Sequence, residues 1–273
     1  MICVMLAGLS AEVGQGKMSR LIAEAVQRQL DMILCPSALS EKEGDVVIGK
    51  KSMILNPVKN HQALLEALHG GIDIIVDFTQ PDAVNRNAKM YCELGIPFVM
   101  GTTGGDREKL IQTVENSKIS AVIATNRAAP VVVFQEMMRF ATTAFPNALE
   151  GFKLAIGESH QAGKKDVSGT AVNLLPFFKT LGMPMEKEQI ISVRDPKVQV
   201  EELGIPEEHL GGHGCHTYTM ISPDDTVKLE FTHNVLGRSV YVDGALKAIR
   251  FLAAHKEEKG KVFSMADVLR WSD

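Results

Sequence analysis

Residues 72–105 read IDIIVDFTQPDAVNRNAKMYCELGIPFVMGTTGG, and this stretch decides the fold. Ile72 to Phe78 is an apolar run of strand length, Asp82 to Leu94 has helical spacing, and Ile96 to Met100 is a second strand-length run. Strands buried on both faces, with a helix between them, make the unit of a parallel sheet. The pattern extends in both directions. Toward the N-terminus, Ile2 to Leu6 reads as a strand, and Lys17 to Leu30 as a helix with Met18, Leu21, Ile22, Ala25 and Val26 on one face. Met32 to Cys35 reads as a strand ended by Pro36, and Gln62 to Leu68 as a short helix. Toward the C-terminus, Asp106 to Asn116 is helical and Ala121 to Ala124 strand-like. The expected fold is α/β, a Rossmann-like doubly wound parallel sheet. Its polar turns AGLSAEVGQGK, DFTQPDA, GTTGGD and ATNRAAP fall at strand ends. Ligands of an open parallel sheet bind outside the carboxyl ends of the strands, so these turns are expected along one edge.

The second half changes character. A helix around Val133 to Phe145 precedes strand-like Phe152 to Ile156, Ile190 to Val193, Cys215 to Ile221 and Thr226 to His233. The alternation in the last two is that of a half-covered sheet. This predicts a second α+β domain with a mixed or antiparallel sheet. Val242 to Ala254 and Met265 to Leu269 read as closing helices. The expected division is a dinucleotide-binding domain, 1–127 with 237–273, and a substrate-binding and oligomerisation domain, 128–236.

The chain has 273 residues, 45% of them hydrophobic and 23% charged, enough for a sizeable core. A net charge of -4 offers no field for nucleic acid or an anionic membrane. No run reaches the roughly 18 to 20 apolar residues of a membrane helix, and no signal peptide is evident. Cys3, Cys35, Cys92 and Cys215 are far apart and read as reduced thiols. The expected location is the cytoplasm, or the plastid stroma if a transit peptide has been removed.

Gly8, Gly14 and Gly16 lie between the first strand and first helix, where backbone amides meet the phosphates of a dinucleotide, with Lys17 adding a cation. The spacing is not GxGxxG, and the same glycines also suit a plain flexible turn. After the second strand, CPSALS carries no acid before Glu41, so nothing repels a 2′-phosphate. GTTGG, residues 101–105, offers amides and two hydroxyls, or simply a turn capped by Thr103.

Residues 157–171, GESHQAGKKDVSGTA, concentrate polar groups just before the helical-looking run AVNLLPFFKTL. Ser168, Gly169 and Thr170 supply a cap hydroxyl and amides, which with Lys164 and Lys165 attract an anion. His160 is the group here that exchanges a proton near neutral pH. The set suits a small carboxylate substrate that needs one proton; a solvated loop with a capped helix is the alternative. His209, His213, Cys215 and His216 have spacing within reach of a metal, but strand alternation turns Cys215 and His216 to opposite faces, and no metal is expected.

The block from Glu158 to Ala171 is similar to the signature of dihydrodipicolinate reductases, roughly E-x-H-H-x-x-K-x-D-x-P-S-G-T-A. DFTQPDAV, GTTG and FTHNVLGRSVYVDGAL follow the family order, and GGHGCHTYTM and HNVLGRSVY resemble its plant-type branch. The resemblance covers about Gly8 to Leu269. It implies NADPH- or NADH-dependent reduction of a cyclic imino dicarboxylate, 4-hydroxy-tetrahydrodipicolinate, on the diaminopimelate route to lysine. It implies that His160 is the catalytic acid, assisted by Lys164, and that Thr103, Ser168, Gly169 and Thr170 bind substrate. It further implies that Gly8, Gly16, Lys17, Met18, Phe78, Thr79, Gly101, Thr102 and Ala124 line the dinucleotide, and that the protein is a homotetramer. Gln161 replaces the family's second histidine, and no proline precedes Ser168. The glycine loop is longer than the family's G-x-x-G-x-M-G, and Ser19 replaces a glycine that allows close helix packing. Two other readings share the first half: a different two-domain NAD(P)-dependent oxidoreductase of a small carboxylic acid, and a non-catalytic nucleotide sensor.

Overall fold

The first strand, β1 (Ile2–Ala7), lies inside the larger sheet, and its neighbours fix where that sheet can bind a ligand. The computed structural model describes every residue except Val13, His69, Thr125, Ser272 and Asp273. Val13 in the glycine loop and Thr125 in the ATNRAAP turn therefore lie outside the described residues. After β1 come α1 (Lys17–Gln27), β2 (Met32–Leu34), β3 (Ser37–Leu39), β4 (Gly44–Ile48), β5 (Lys51–Asn56), α2 (His61–Ala67), β6 (Ile74–Asp77), α3 (Val84–Glu93), β7 (Phe98–Met100), α4 (Arg107–Glu115) and β8 (Ala121–Ile123). Next are α5 (Ala129–Ala144), β9 (Lys153–His160), α6 (Gly169–Val172), α7 (Leu175–Thr180), β10 (Ile191–Val193), α8 (Pro196–Glu201), β11 (His213–Ile221) and β12 (Lys228–Leu236). The chain closes with α9 (Ser239–Ala254), β13 (Val262–Phe263) and α10 (Met265–Arg270). It forms two compact units: Met1–Ala128 with Tyr241–Asp273, and Ala129–Val240.

The first unit is built on the sheet β13-β8-β7-β6-β1-β3-β5-β4, with β2 also paired to β1. All its pairings are parallel except β4 with β5. β2 and β3 lie on one side of β1 and β6 on the other, so strand order reverses there, and ligands are expected at the carboxyl ends of β1 and β6. The turns after β1, β6, β7 and β8 lie on that edge. The sequence reading missed β3 and the β4–β5 hairpin. Pro36 interrupts what is nearly one strand: Cys35 N still donates to Val4 O at 2.8 Å, and pairing resumes at Ala7 and Leu39. The second-strand edge therefore ends after Leu39, which places Glu41 two residues beyond it rather than seven. The hairpin strands are half covered and short, a weaker signal than the doubly buried strands.

Between β1 and α1, Gly8 has φ +89°, and a Cβ there would stand 2.5 Å from the Phe78 carbonyl oxygen. Ser19 is fully buried, and its hydroxyl donates to Ala7 O at 3.1 Å, tying α1 to β1. The serine thus adds a polar contact where α1 meets β1.

The second unit has the sheet β10-β9-β11-β12, in which β10 runs parallel to β9 and the other pairs are antiparallel. Leu154, Ile156, Glu158 and His160 share one face of β9 by the pleat. Met220, Tyr218, His216 and Gly214 lie opposite them on β11, and Leu229, Phe231, His233 and Val235 on β12. The face is apolar at one end, where Ile156, Tyr218 and Met220 pack with Leu174, Phe178 and Met138. It becomes polar at the other. The single helix expected over AVNLLPFFKTL is two pieces, α6 and α7. Pro176 has no N–H to reach back to Val172 O, which breaks the ladder.

Replacing Ser19 with glycine is expected to destabilise the chain by about 1–2 kcal/mol, through loss of the hydrogen bond to Ala7 O and added backbone freedom in α1. Urea unfolding measures this; an unchanged or raised midpoint would show that the serine is merely tolerated.

Candidate active site

Glu158 is the centre of the polar end of the second sheet. Its side chain is completely buried, and donors surround it. Arg194 lies across it in two hydrogen bonds, Nη1 to Oε2 at 2.9 Å and Nη2 to Oε1 at 2.5 Å. Ser192 Oγ donates to Oε1 at 2.6 Å, Ser168 N to Oε1 at 3.3 Å, and His160 Nδ1 lies 2.6 Å from Oε2. Burial pushes this carboxyl up, but the donors from His160, Arg194 and Ser192 more than reverse that and hold it well below the usual carboxylate range. An ionised carboxylate only accepts, so His160 Nδ1 carries a hydrogen and the ring exchanges its other proton at Nε2. Nε2 lies beside Gly214, where a Cβ would come within 3.2 Å of it. The loop after β9 is held by the same arginine: Arg194 Nε donates to Lys164 O at 3.0 Å and Nη2 to Asp166 O at 3.3 Å. Gln199 Nε2 donates to His160 O at 2.8 Å.

Lys164 is half-buried and Lys165 exposed, and Asp166 enters through its carbonyl. Ser168 is the N-cap of α6, but its hydroxyl makes no cap hydrogen bond. It lies instead 2.7 Å from His216 Nε2, which corrects the expected capping role. With only four residues in α6, the helix dipole contributes little to an anion site. Gly169 is exposed, and a Cβ there would meet nothing within 4 Å. His213 Nε2 pairs with Ser159 Oγ at 2.9 Å and His216 with Ser168, so these imidazoles are engaged by serines. Among the described residues no group of three His, Cys, Asp or Glu is placed to hold a metal.

In the first unit, Asp77 is fully buried at the end of β6 and organises the DFT turn. It accepts from Thr79 N at 2.9 Å and Thr79 Oγ1 at 2.6 Å, and from Tyr91 OH at 2.8 Å and Asn87 Nδ2 at 3.0 Å. Thr102 Oγ1 donates to Thr79 O at 2.8 Å, which joins the turns after β6 and β7. A Cβ on Gly101 would lie 2.5 Å from the Phe78 ring and 2.9 Å from Arg127 Nη1. Arg127 stacks 4.4 Å over the Phe78 ring and donates to Ala124 O at 2.7 Å. Its Nε is buried without a hydrogen-bond partner, and burial pulls its pKa down to about 10. Thus Phe78, Thr79, Gly101, Thr102 and Ala124 form one connected edge with Gly8. Gly16 is the left-handed N-cap of α1, Lys17 and Thr103 are exposed, and Met18 is half-buried. Such an edge, with close-packed glycines and a buried guanidinium whose Nε has no hydrogen-bond partner among the described residues, fits an anionic dinucleotide.

The family model described as dihydrodipicolinate reductase, N-terminus, matches residues 4–127, and the one described as dihydrodipicolinate reductase, C-terminus, matches residues 130–269. The chain belongs to the dihydrodipicolinate reductase family. The chloroplastic 4-hydroxy-tetrahydrodipicolinate reductase 1 of Arabidopsis thaliana is 42% identical over 98% of this chain and 78% of that protein. The 4-hydroxy-tetrahydrodipicolinate reductase of Methanothermobacter thermautotrophicus is 28% identical over 98% of this chain and 99% of its own. The dihydrodipicolinate reductase of Paenisporosarcina sp. TG-14, solved with dipicolinate bound, shares the fold with a TM-score of 0.65, 20% identity and 97% coverage of both chains.

Within this dihydrodipicolinate reductase fold, His160 ends β9, Lys164 and Ser168 lie in the loop that follows, and Gly169 and Thr170 open α6. Gln161 turns that loop by accepting from Lys164 N at 3.0 Å. The imidazoles near His160 come from β11: His216 lies edge-on at 5.2 Å and His213 at 6.5 Å between ring centroids. Sequence reasoning missed Arg194, Ser192, Gln199 and Arg127. One available signal was the switch along β9 from Leu154 and Ile156 to Glu158 and His160 on the same face, which asks for buried partners.

Glu158→Gln leaves Arg194 without its counter-charge and is expected to cost about 3 kcal/mol or more at neutral pH. Because the folded carboxyl is held below its unfolded value of 4.5, its contribution is full above that pH and is lost as pH falls toward the folded value. Denaturation of wild type and variant should therefore show a gap that narrows below about pH 4.5; a constant gap down to about pH 3 would contradict the assignment.

Proposed function

We propose that this chain reduces 4-hydroxy-tetrahydrodipicolinate to tetrahydrodipicolinate with NADPH or NADH, on the diaminopimelate route to lysine. The observation that carries the reading is His160, fixed by Glu158 with Nε2 as its exchanging atom, on the same loop as Lys164 and Ser168. Family membership and the names of the relatives support it. The first unit is the nucleotide domain, where Gly8, Gly16, Lys17 and Met18 would hold the diphosphate side. Phe78, Thr79, Gly101, Thr102 and Ala124 would line the nicotinamide side. The reduced nicotinamide, when bound, would supply the hydride, which the family delivers to ring carbon 4; with one proton taken up, the 4-hydroxyl of the substrate is lost as water.

Everything else falls to side chains of this protein. Ser168, Gly169 and Thr170 receive a substrate carboxylate; Thr103 is the other substrate-binding residue that the family resemblance implies. Lys164 supplies an ammonium that offsets the charge of the dicarboxylate and of the electron-rich ring formed on reduction. His160 delivers a proton from Nε2 while Glu158 stabilises the ring in its charged form and keeps it oriented, a role for the carboxylate that involves no proton transfer of its own. Glu41 and Lys42 both follow β3 at the expected ribose position, where Lys42 Nζ pairs with Glu12 Oε1 at 2.5 Å. An acid and a base together support use of either cofactor. The outer strand β12, with Leu229 at 41% exposure and Val227 just before it at 51%, supports assembly through the second unit, as a homotetramer. Among the described residues no helix is long and apolar enough to cross a membrane. The proposed location is the cytoplasm or plastid stroma, and the chloroplastic plant relatives support the latter.

The test follows NADPH absorbance with freshly generated substrate. Wild type is expected to turn over, and His160→Ala and Lys164→Ala to lose about a hundredfold or more in kcat. No turnover by wild type would refute the reading, and full activity in His160→Ala would remove the proposed acid.

A further inference from the structure

Two serine–histidine pairs in the second unit look alike but have opposite polarity. In the first, His213 Nδ1 lies 3.2 Å from His209 O. A carbonyl only accepts, so Nδ1 carries the hydrogen, and Nε2 accepts from Ser159 Oγ at 2.9 Å. In the second, His216 Nε2 lies 2.7 Å from Ser168 Oγ, but Nδ1 is buried and has no hydrogen-bond partner among the described residues. His216 is almost fully buried; burial, with His233 and His160 nearby, pulls its pKa down to about 3, so the ring is neutral. Two tautomers are then possible. One places an N–H at buried Nδ1 with no acceptor; the other leaves only a lone pair there. An orphaned buried N–H is the costlier defect, so the hydrogen belongs on Nε2, which donates to Ser168 Oγ.

The ring cannot easily turn to escape this choice. His233 stacks on it with centroids 4.7 Å apart, and Tyr218 lies parallel to it at 6.3 Å. Phe134 packs beneath, 5.5 Å from Tyr218 and 6.0 Å from His233. Ser168, once it accepts from His216, must point its own hydrogen elsewhere. Its amide is already directed at Glu158 Oε1, and the adjoining Gly169 borders open space.

We propose that His216 is a positioning residue that makes the Ser168 hydroxyl an obligate hydrogen-bond donor, selecting a ligand carboxylate oxygen. The inference rests on the functional reading above, in which Ser168 contacts substrate. A serine free to rotate can also accept from an amide or ammonium; a serine whose oxygen is occupied from behind discriminates in favour of acceptors. The device is neutral and buried, so it acts without adding charge to a site that already holds Lys164 and Arg194.

The probe is dipicolinate, a stable flat dicarboxylate, titrated by calorimetry into the full-length protein. His216→Gln places an amide donor near the position of Nε2, whereas His216→Asn places it near Nδ1, out of reach of Ser168. Both bury a similar amide, so structural damage is shared and the position of the donor is what differs. His216→Asn is expected to weaken dipicolinate about tenfold or more, with kcat within about threefold of wild type, and His216→Gln to stay within about threefold in affinity. In a Ser168→Ala background, His216→Asn should add less than about twofold, because the two residues act through one hydrogen bond. Equal loss in Gln and Asn variants, or additive loss in the double variant, would overturn the proposal. Failure of wild type to bind dipicolinate or oxidise NADPH would instead overturn the functional reading on which it rests.

Discussion

The site depends on one buried carboxylate. Glu158 sits where the core-facing side of β9 passes from aliphatic to polar, and without partners an ionised group there would be prohibitive. Arg194, Ser192, the Ser168 amide and His160 all donate to it. These donors come from β10, the residue after it, the loop before α6 and the end of β9 itself. The ion pair is therefore also the clasp that sets the path of the 161–168 loop, because Arg194 holds the Lys164 and Asp166 carbonyls with its remaining hydrogens. The arrangement that satisfies Glu158 also fixes which nitrogen of His160 carries the hydrogen.

The first unit solves a different problem with the same logic. Asp77 is another buried carboxylate, but its donors are a local amide, two hydroxyls and an amide side chain rather than an arginine. It stiffens a turn instead of orienting an imidazole. The cation of that unit, Arg127, lies apart from it over the Phe78 ring. A buried guanidinium whose Nε has no partner among the described residues is costly in the free protein, a cost that the proposed anionic dinucleotide would offset.

Much of the fold is legible in the sequence where burial is simple. β6, β7 and β8 are buried on both faces, so their apolar runs stand out between amphipathic helices. β4 and β5 are half covered, and their alternation over a few residues is too short to separate from a loop. The helix after Ser168 reads as continuous because its apolar residues are continuous; Pro176 divides it by removing one donor. In the site, His160, Lys164 and Ser168 are readable because they are close in sequence and chemically dense. Arg194 is 36 residues from Glu158 and His216 is 48 from Ser168, and both meet through strand register, which residue types alone do not reveal. The alternation that turned Cys215 and His216 to opposite faces was sound; the serine waiting for His216 was invisible.

Glu158 fixes His160 with its hydrogen on Nδ1, leaving Nε2 to exchange the proton in the proposed reaction. Long-range proton–nitrogen correlation spectra of the imidazole rings, recorded across the titration of His160, test this most directly. Nδ1 is expected to keep its hydrogen throughout, with Nε2 the nitrogen that gains and loses one. A neutral His160 with the hydrogen on Nε2 and a bare Nδ1 would contradict it.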